Sequence, residues 1–146
     1  MPKGLSFDNQ FLQLVFQGTT NASLFSAAGS LATLYVALHT ADPSTVAGSG
    51  TVNTQNASEA NYTSYARVGV ARTSGGWTVS NNTVTPVANI TFPLGTGGGG
   101  AVTNWSVGTA LSGTGELLWS GTVSPSITTG NGVQPILTTA SVVTET

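Results

Sequence analysis

The chain changes its hydrophobic rhythm early. Over residues 6–17, SFDNQFLQLVFQ, apolar side chains recur with the period of a helix, and Phe7, Phe11, Leu14 and Val15 follow the i, i+4, i+7, i+8 rule on one face. Ser6 is placed to cap the N-terminus, Asp8 sits in the first turn where the helix dipole favours an anion, and Gly18 ends the run. Leu12 and Phe16 broaden the apolar surface beyond a single stripe, so the helix is expected to cover a sheet edge or dock on another chain.

After this helix the period falls to two. In LYVALHT, starting at residue 34, Leu34, Val36 and Leu38 face one way and Tyr35, Ala37 and His39 the other. YARVGVAR at 65–72 alternates similarly, and further strands are predicted at 77–80, 87–93, 102–110, 115–123 and 136–144. Turn signals separate them: SGG at 74–76, NN at 81–82, GTGGGG at 95–100, SGTG at 112–115 and TGNG at 129–132. Short strands at this spacing after one helix predict an all-β fold, a jelly-roll-like β-sandwich, with residues 1–18 as an N-terminal helical arm and 19–146 as a single domain. Residues 41–64 have no periodicity, and a loop of that length in a compact domain is usually functional or disordered.

Composition narrows the function. Only 5% of the 146 residues are charged, against about 25% in ordinary soluble domains. The formal charge of −2 gives copies little mutual repulsion and favours association. Lys3, Arg67 and Arg72 cannot build the basic surface that nucleic acid requires, so nucleic acid is excluded as a partner. No apolar run is long enough to span a membrane, and the polar N-terminus has no secretory h-region, so synthesis in the cytoplasm is expected. There is no cysteine, hence no thiolate metal site.

Candidate chemistry is sparse. His39 ends a strand on its expected outward face, and Asp42-Pro43 is a standard turn opener; with no GxSxG motif, His39 reads as a group bonded to loop backbone rather than a catalyst. Asp8, Asp42 and Glu145 have structural explanations, leaving Glu59 and Glu116 without any means in sequence of being brought together as a glycosidase pair. No cofactor or metal is expected. GTGGGG lacks the GK[ST] and the following helix of a phosphate loop, and reads as a flexible hairpin connection. Arg67, mid-strand in a nearly uncharged chain, needs a counter-charge, and Glu59 is the natural one: an ion pair pinning the long loop to the sheet. Trp77, Trp105 and Trp119 read as core or interface anchors rather than a sugar platform.

LYVALHTADP at 34–43, EANYTSYARVGVART at 59–73, GWTVS at 76–80, ITFP at 90–93, TNWSVGTALSGTGELLWSG at 103–121 and the closing VVTE together resemble a family of small tailed-phage virion proteins described as capsid cement or decoration proteins, or more loosely as phage structural or tail-fibre-like proteins. The resemblance runs in order over nearly the whole chain. It implies a jelly-roll-like β-sandwich that forms a homo-oligomer, dimer or trimer, on the outer capsid surface of the virion and staples major capsid proteins together; the sparse chemistry adds the expectation that the chain is not an enzyme. The contact surface expected for the capsid and for a second copy is the helix, with Phe7, Phe11, Leu14, Val15 and Phe16, together with the loop opened by Asp42 and Pro43. The alternative is a receptor- or glycan-binding β-sandwich module of a head or tail fibre.

Overall fold

The computed structural model describes the backbone of residues 5–18, 31–45 and 54–145, and the side chains of all of these but residues 5–8 and 45. The protein is all-β with one short N-terminal helix. Among the described residues helix α1 spans Leu5–Gln17, and nine strands follow: β1 Thr33–His39, β2 Val68–Ala71, β3 Trp77–Ser80, β4 Thr83–Pro86, β5 Ile90–Thr91, β6 Ala101–Gly108, β7 Leu117–Thr128, β8 Ile136–Leu137 and β9 Val143–Thr144. They form sheets of four (β2-β1-β6-β7), three (β3-β4-β9) and two (β5-β8) strands. Among the described residues no helix is long and apolar enough to cross a membrane.

The chain forms two compact units: 1–34 with 70–90 and 137–146, and 35–69 with 91–136. These bounds differ from the expected division at residue 18, because α1 is part of the first unit.

In the first unit β3 and β4 form a hairpin in register from Trp77↔Pro86 to Ser80↔Thr83, and β9 adds beside β4. The two-residue connection places Asn81 at φ 55°, a left-handed conformation that asparagine tolerates better than most residues. Strand β4 was missed by the sequence reading because Val84 and Pro86 are its only buried positions and Pro demotes a strand. Helix α1 buries Leu12 and Phe16 completely, with Phe16 edge-on to the Trp77 ring at 4.8 Å. Full burial of two such side chains is worth about 1.5–3 kcal/mol each. Leu12 and Phe16 are therefore the fully buried positions, while Phe11, Leu14 and Val15 of the expected stripe are only half-buried and the Phe7 side chain lies outside the described residues. A helix apolar around so much of its circumference has no unique amphipathic face, and the fit of Phe16 to Trp77 selects one.

The C-terminus of α1 is closed twice. Gly18, at φ 66°, donates its N–H to Leu14 O at 3.1 Å, the left-handed cap expected of a terminal glycine. Arg72 then donates from Nε to Val15 O and from Nη2 to Leu14 O, both at 2.6 Å, and from Nη1 to Leu31 O at 3.2 Å. A cation on the last-turn carbonyls satisfies orphan acceptors and meets the negative end of the dipole.

In the second unit β1 pairs antiparallel with β6 from Tyr35↔Gly108 to His39↔Asn104, and β6 pairs with β7. Its core includes Val36, Leu38, Tyr62, Phe92, Val102, Trp105 and Val107. Between Val102↔Ile127 and Asn104↔Thr122 the register shifts, so β7 bulges over residues 123–126. GTGGGG is not a hairpin connection, since β5 pairs with β8 and β6 with β7. It is packed closely: Thr63 N donates to Gly97 O at 2.8 Å, and a Cβ on Gly99 (φ 138°) would stand 2.1 Å from Thr129 O. The expectation of a flexible link is corrected on that ground.

Candidate functional site

The most highly connected side chain among the described residues is Arg67, in the second unit. YARVGVAR was expected to be a strand throughout, yet only Val68–Ala71 is one, because Tyr65 and Arg67 turn inward to a polar cluster. Arg67 is 5% exposed and its side chain 2%. It grips Glu59 bidentately, Nε to Oε1 at 2.7 Å and Nη2 to Oε2 at 2.8 Å. Its remaining donors go to Ala110 O at 2.8 Å, Gly113 O at 2.7 Å and Gln55 Oε1 at 3.2 Å. A guanidinium has five N–H groups, so every donor is satisfied.

The partners are themselves fixed. Tyr65 OH donates to Glu59 Oε1 at 2.9 Å and accepts from Leu38 N at 3.1 Å. Burial, first among several causes, pushes the Tyr65 phenol well above its ordinary value, so it remains a donor. Gln55, fully buried, donates from Nε2 to Tyr35 O at 2.6 Å, and its backbone N–H reaches Gly115 O at 2.9 Å. Position 108 must be glycine for this: a Cβ there would lie 2.3 Å from Gln55 Oε1 and 2.6 Å from Glu116 O. The cluster thus ties residues 54–60, 65–67 and 110–115 together. Leaving one buried charge without its partner costs about 3–5 kcal/mol, which is why the assembly is all or nothing.

His39 lies along β1 from this cluster, and the structure corrects its expected outward orientation. It is fully buried, because residues 57–60 cover the end of β1: Thr40 N donates to Ser58 O and Ala60 N to Leu38 O, both at 2.8 Å. Its Nδ1 is 2.9 Å from Ala57 O, the bond to loop backbone that was anticipated, and its Nε2 is 2.7 Å from Ser106 Oγ. The carbonyl can only accept, so Nδ1 carries the hydrogen and Nε2 accepts from the serine hydroxyl. Burial holds the imidazole below its ordinary value, outweighing the Ala57 carbonyl and Glu59, which act in the opposite direction. Ser106 is also fully buried, so this serine–histidine contact does not face solvent.

Asp42 opens its turn as the Asp-Pro signal implies. Its Oδ1 accepts from Ser44 N at 2.9 Å, Ser44 Oγ at 2.8 Å and Ser120 Oγ at 3.1 Å, and these bonds, the Ser44 backbone first, hold the carboxyl below its usual range. Pro43 beside it is buried. Of the expected contact residues, Phe16 and Pro43 are therefore interior, Phe11, Leu14, Val15 and Asp42 are partly exposed, and the Phe7 side chain lies outside the described residues. Trp77 and Trp105 are core and Trp119 is half-buried, so the first two offer no flat exposed platform. Glu116 is exposed on a shallow depression with Thr54, Thr114 and Gly115, while Glu59 is held by Arg67. Among the described residues no three His, Asp or Glu side chains gather as metal ligands.

Gln55, Ser106 and the helix-capping role of Arg72 were not read from the sequence. A glutamine in a polar loop and a serine in a strand carry no signal until the strand register is known. Arg72 carried one: a strand-end arginine in a chain nearly without charge demands acceptors, as Arg67 does.

The fold and this cluster define an all-β protein whose buried ionic groups hold loops against a sheet. The chain belongs to the family described as podophage GP4 fiber I protein gp80, whose model matches residues 6–145; it is a family of phage virion structural proteins. No curated protein matches the chain. The description names a fibre, where the resemblance read from the sequence pointed to a capsid cement protein.

Proposed function

We propose that the chain is a structural component of a podophage fibre, acting by shape and association rather than by catalysis. The observation that carries this reading is the family match over residues 6–145, which covers nearly the whole chain and describes a fibre protein. The cluster supports it: Arg67, Glu59 and His39 have their hydrogen-bonding capacity directed at loops and strands of their own unit. With a formal charge of −2, association with copies or with other fibre proteins would rest on apolar and neutral polar contacts.

Immunogold labelling of purified particles with antibodies raised against the chain tests the reading. Gold is expected on the fibres. Gold distributed over the head shell would overturn it in favour of capsid decoration. Sedimentation of the isolated protein at tens of micromolar is expected to show an oligomer, changing little with salt.

A further inference from the structure

We infer that the outward face of the three-stranded sheet, which carries Thr78, Thr85, Val87 and Val142, docks on the same face of a second copy. The inference rests on the associative role proposed above and names the surface that performs it. One side of this sheet is interior: Trp77, Val84, Pro86 and Val143 are buried, and Phe16 of α1 meets Trp77 there. Alternation turns Thr78, Ser80, Thr83, Thr85 and Thr144 to the other side, in rows fixed by the register Thr78↔Thr85 and Ser80↔Thr83↔Thr144. Val87, whose N–H donates to Gly76 O at 3.0 Å, extends β4 outward by one step, and Val142 precedes the inward Val143. Each of these valines is 47% exposed.

Three observations single this face out. Among the described residues five large apolar side chains are exposed, and two of them, Val87 and Val142, share it. None of the residues 73–87 and 137–144 that build the sheet and its connections is ionisable. The hairpin register also runs without a bulge from Trp77↔Pro86 to Ser80↔Thr83. The other sheets offer nothing comparable. Strand β6 is buried on both faces from Asn104 to Gly108, the exposed half of β7 bulges around Pro125, and β5 and β8 are two residues long. An antiparallel sheet covered on one side by a helix ordinarily keeps its open side polar and charged, which this one does not.

The absence of charge decides the occupant. A charged partner surface would lose its water here and find no counter-charge, so the mate must be neutral. The same face of a second copy is neutral, is regular, and carries β-branched side chains of the kind that interdigitate when sheets stack about 10 Å apart. Pairing like face with like face is two-fold, so each contact is made twice. A formal charge of −2 opposes the approach of two copies only weakly.

Thr85, on the central strand β4, is the position to charge. Sedimentation equilibrium of the full chain is expected to show that Thr85→Lys and Thr85→Glu each raise the apparent dissociation constant of self-association at least about tenfold, because each copy brings a like charge into the contact. An equimolar mixture of the two variants should regain the association that each lost alone. Leu111→Lys, at a side chain 59% exposed in the second unit, should leave it unchanged. Undiminished association in both Thr85 variants would overturn the inference, as would equal weakening by Leu111→Lys, failure of the mixture to recover, or a monomeric unaltered protein, which would leave the face to a different virion protein. If a Thr85 variant does not fold, Val142→Lys and Val142→Glu take its place, at a side chain already half in solvent. Gold on the fibres with undiminished association of the variants would refute this face and leave the fibre role standing.

Discussion

Each unit is organised around one arginine, and the two are held differently. In the first, Arg72 is half-buried and donates to the carbonyls of Leu14, Val15 and Leu31. The end of α1 concentrates roughly half an elementary negative charge there, so backbone alone provides an attractive site for the cation. In the second, Arg67 has no helix end to meet. Its two loop carbonyls, Ala110 O and Gly113 O, lack the alignment that sums peptide dipoles, and its side chain is 2% exposed. A full carboxylate, Glu59, supplies what a helix terminus supplies elsewhere. An all-β unit that buries a cation to order its loops needs a real counter-charge; a helical one can use its own backbone.

The sharpest way to break this contrast is to remove Arg67. Arg67→Ala strands Glu59, Gln55 Oε1 and two carbonyls, and is expected to cost about 3–5 kcal/mol in urea unfolding. Glu59→Gln should approach the same cost while changing one charge, since it leaves the guanidinium buried without its counter-ion. If Glu59→Gln were nearly neutral, the carbonyls would be sufficient and the distinction between the arginines would fail.

Arg72→Ala tests the other side. It should cost about 1–2 kcal/mol, the worth of cation–carbonyl bonds at a helix end, and reduce helical circular dichroism while leaving the β signal. A cost equal to that of Arg67→Ala would show that the helix dipole is not an adequate substitute for a carboxylate.

The smallest effect concerns Asp42, whose partners are neutral. Its folded value is lowered, so its contribution is present above the unfolded value near 3.9 and is lost as pH falls through the folded one. Because the group is largely solvated, the loss should be under about 1 kcal/mol, seen as a shallow decline in stability below about pH 4 that Asp42→Asn removes. A steep decline there that survives in Asp42→Asn would direct attention to Glu59, and so back to Arg67.

Much of this was legible locally. Gly18 as the helix stop, the turn at Asn81-Asn82, the Asp42-Pro43 turn and the pairing of Arg67 with Glu59 each follow from a residue's own chemistry and its near neighbours. The strands at 33–39, 77–80 and 101–108 follow from alternation. The full extent of β7 was not legible, because Pro125, which cannot donate to a ladder, sits between two serines and reads as the end of a strand, although Val123 and Ile127 keep the alternation and are half-buried. Nor was the break of 136–144 into β8 and β9, since the unpaired residues between them look as β-prone as their neighbours.

The sequence by itself determined the class of fold, the helix limits, the scarcity of chemistry and the need of Arg67 for a carboxylate, because each depends on interactions within a few residues or on composition. Only the tertiary structure decided which helix face is buried, that His39 points inward, and that Gln55, Ser106 and Gly108 complete a buried polar interior. Those depend on strand register and on which loop covers which sheet end. A side chain's alternation gives its face, but whether that face meets water or another segment is set by residues distant in the chain, as Ala57 and Ser106 are from His39.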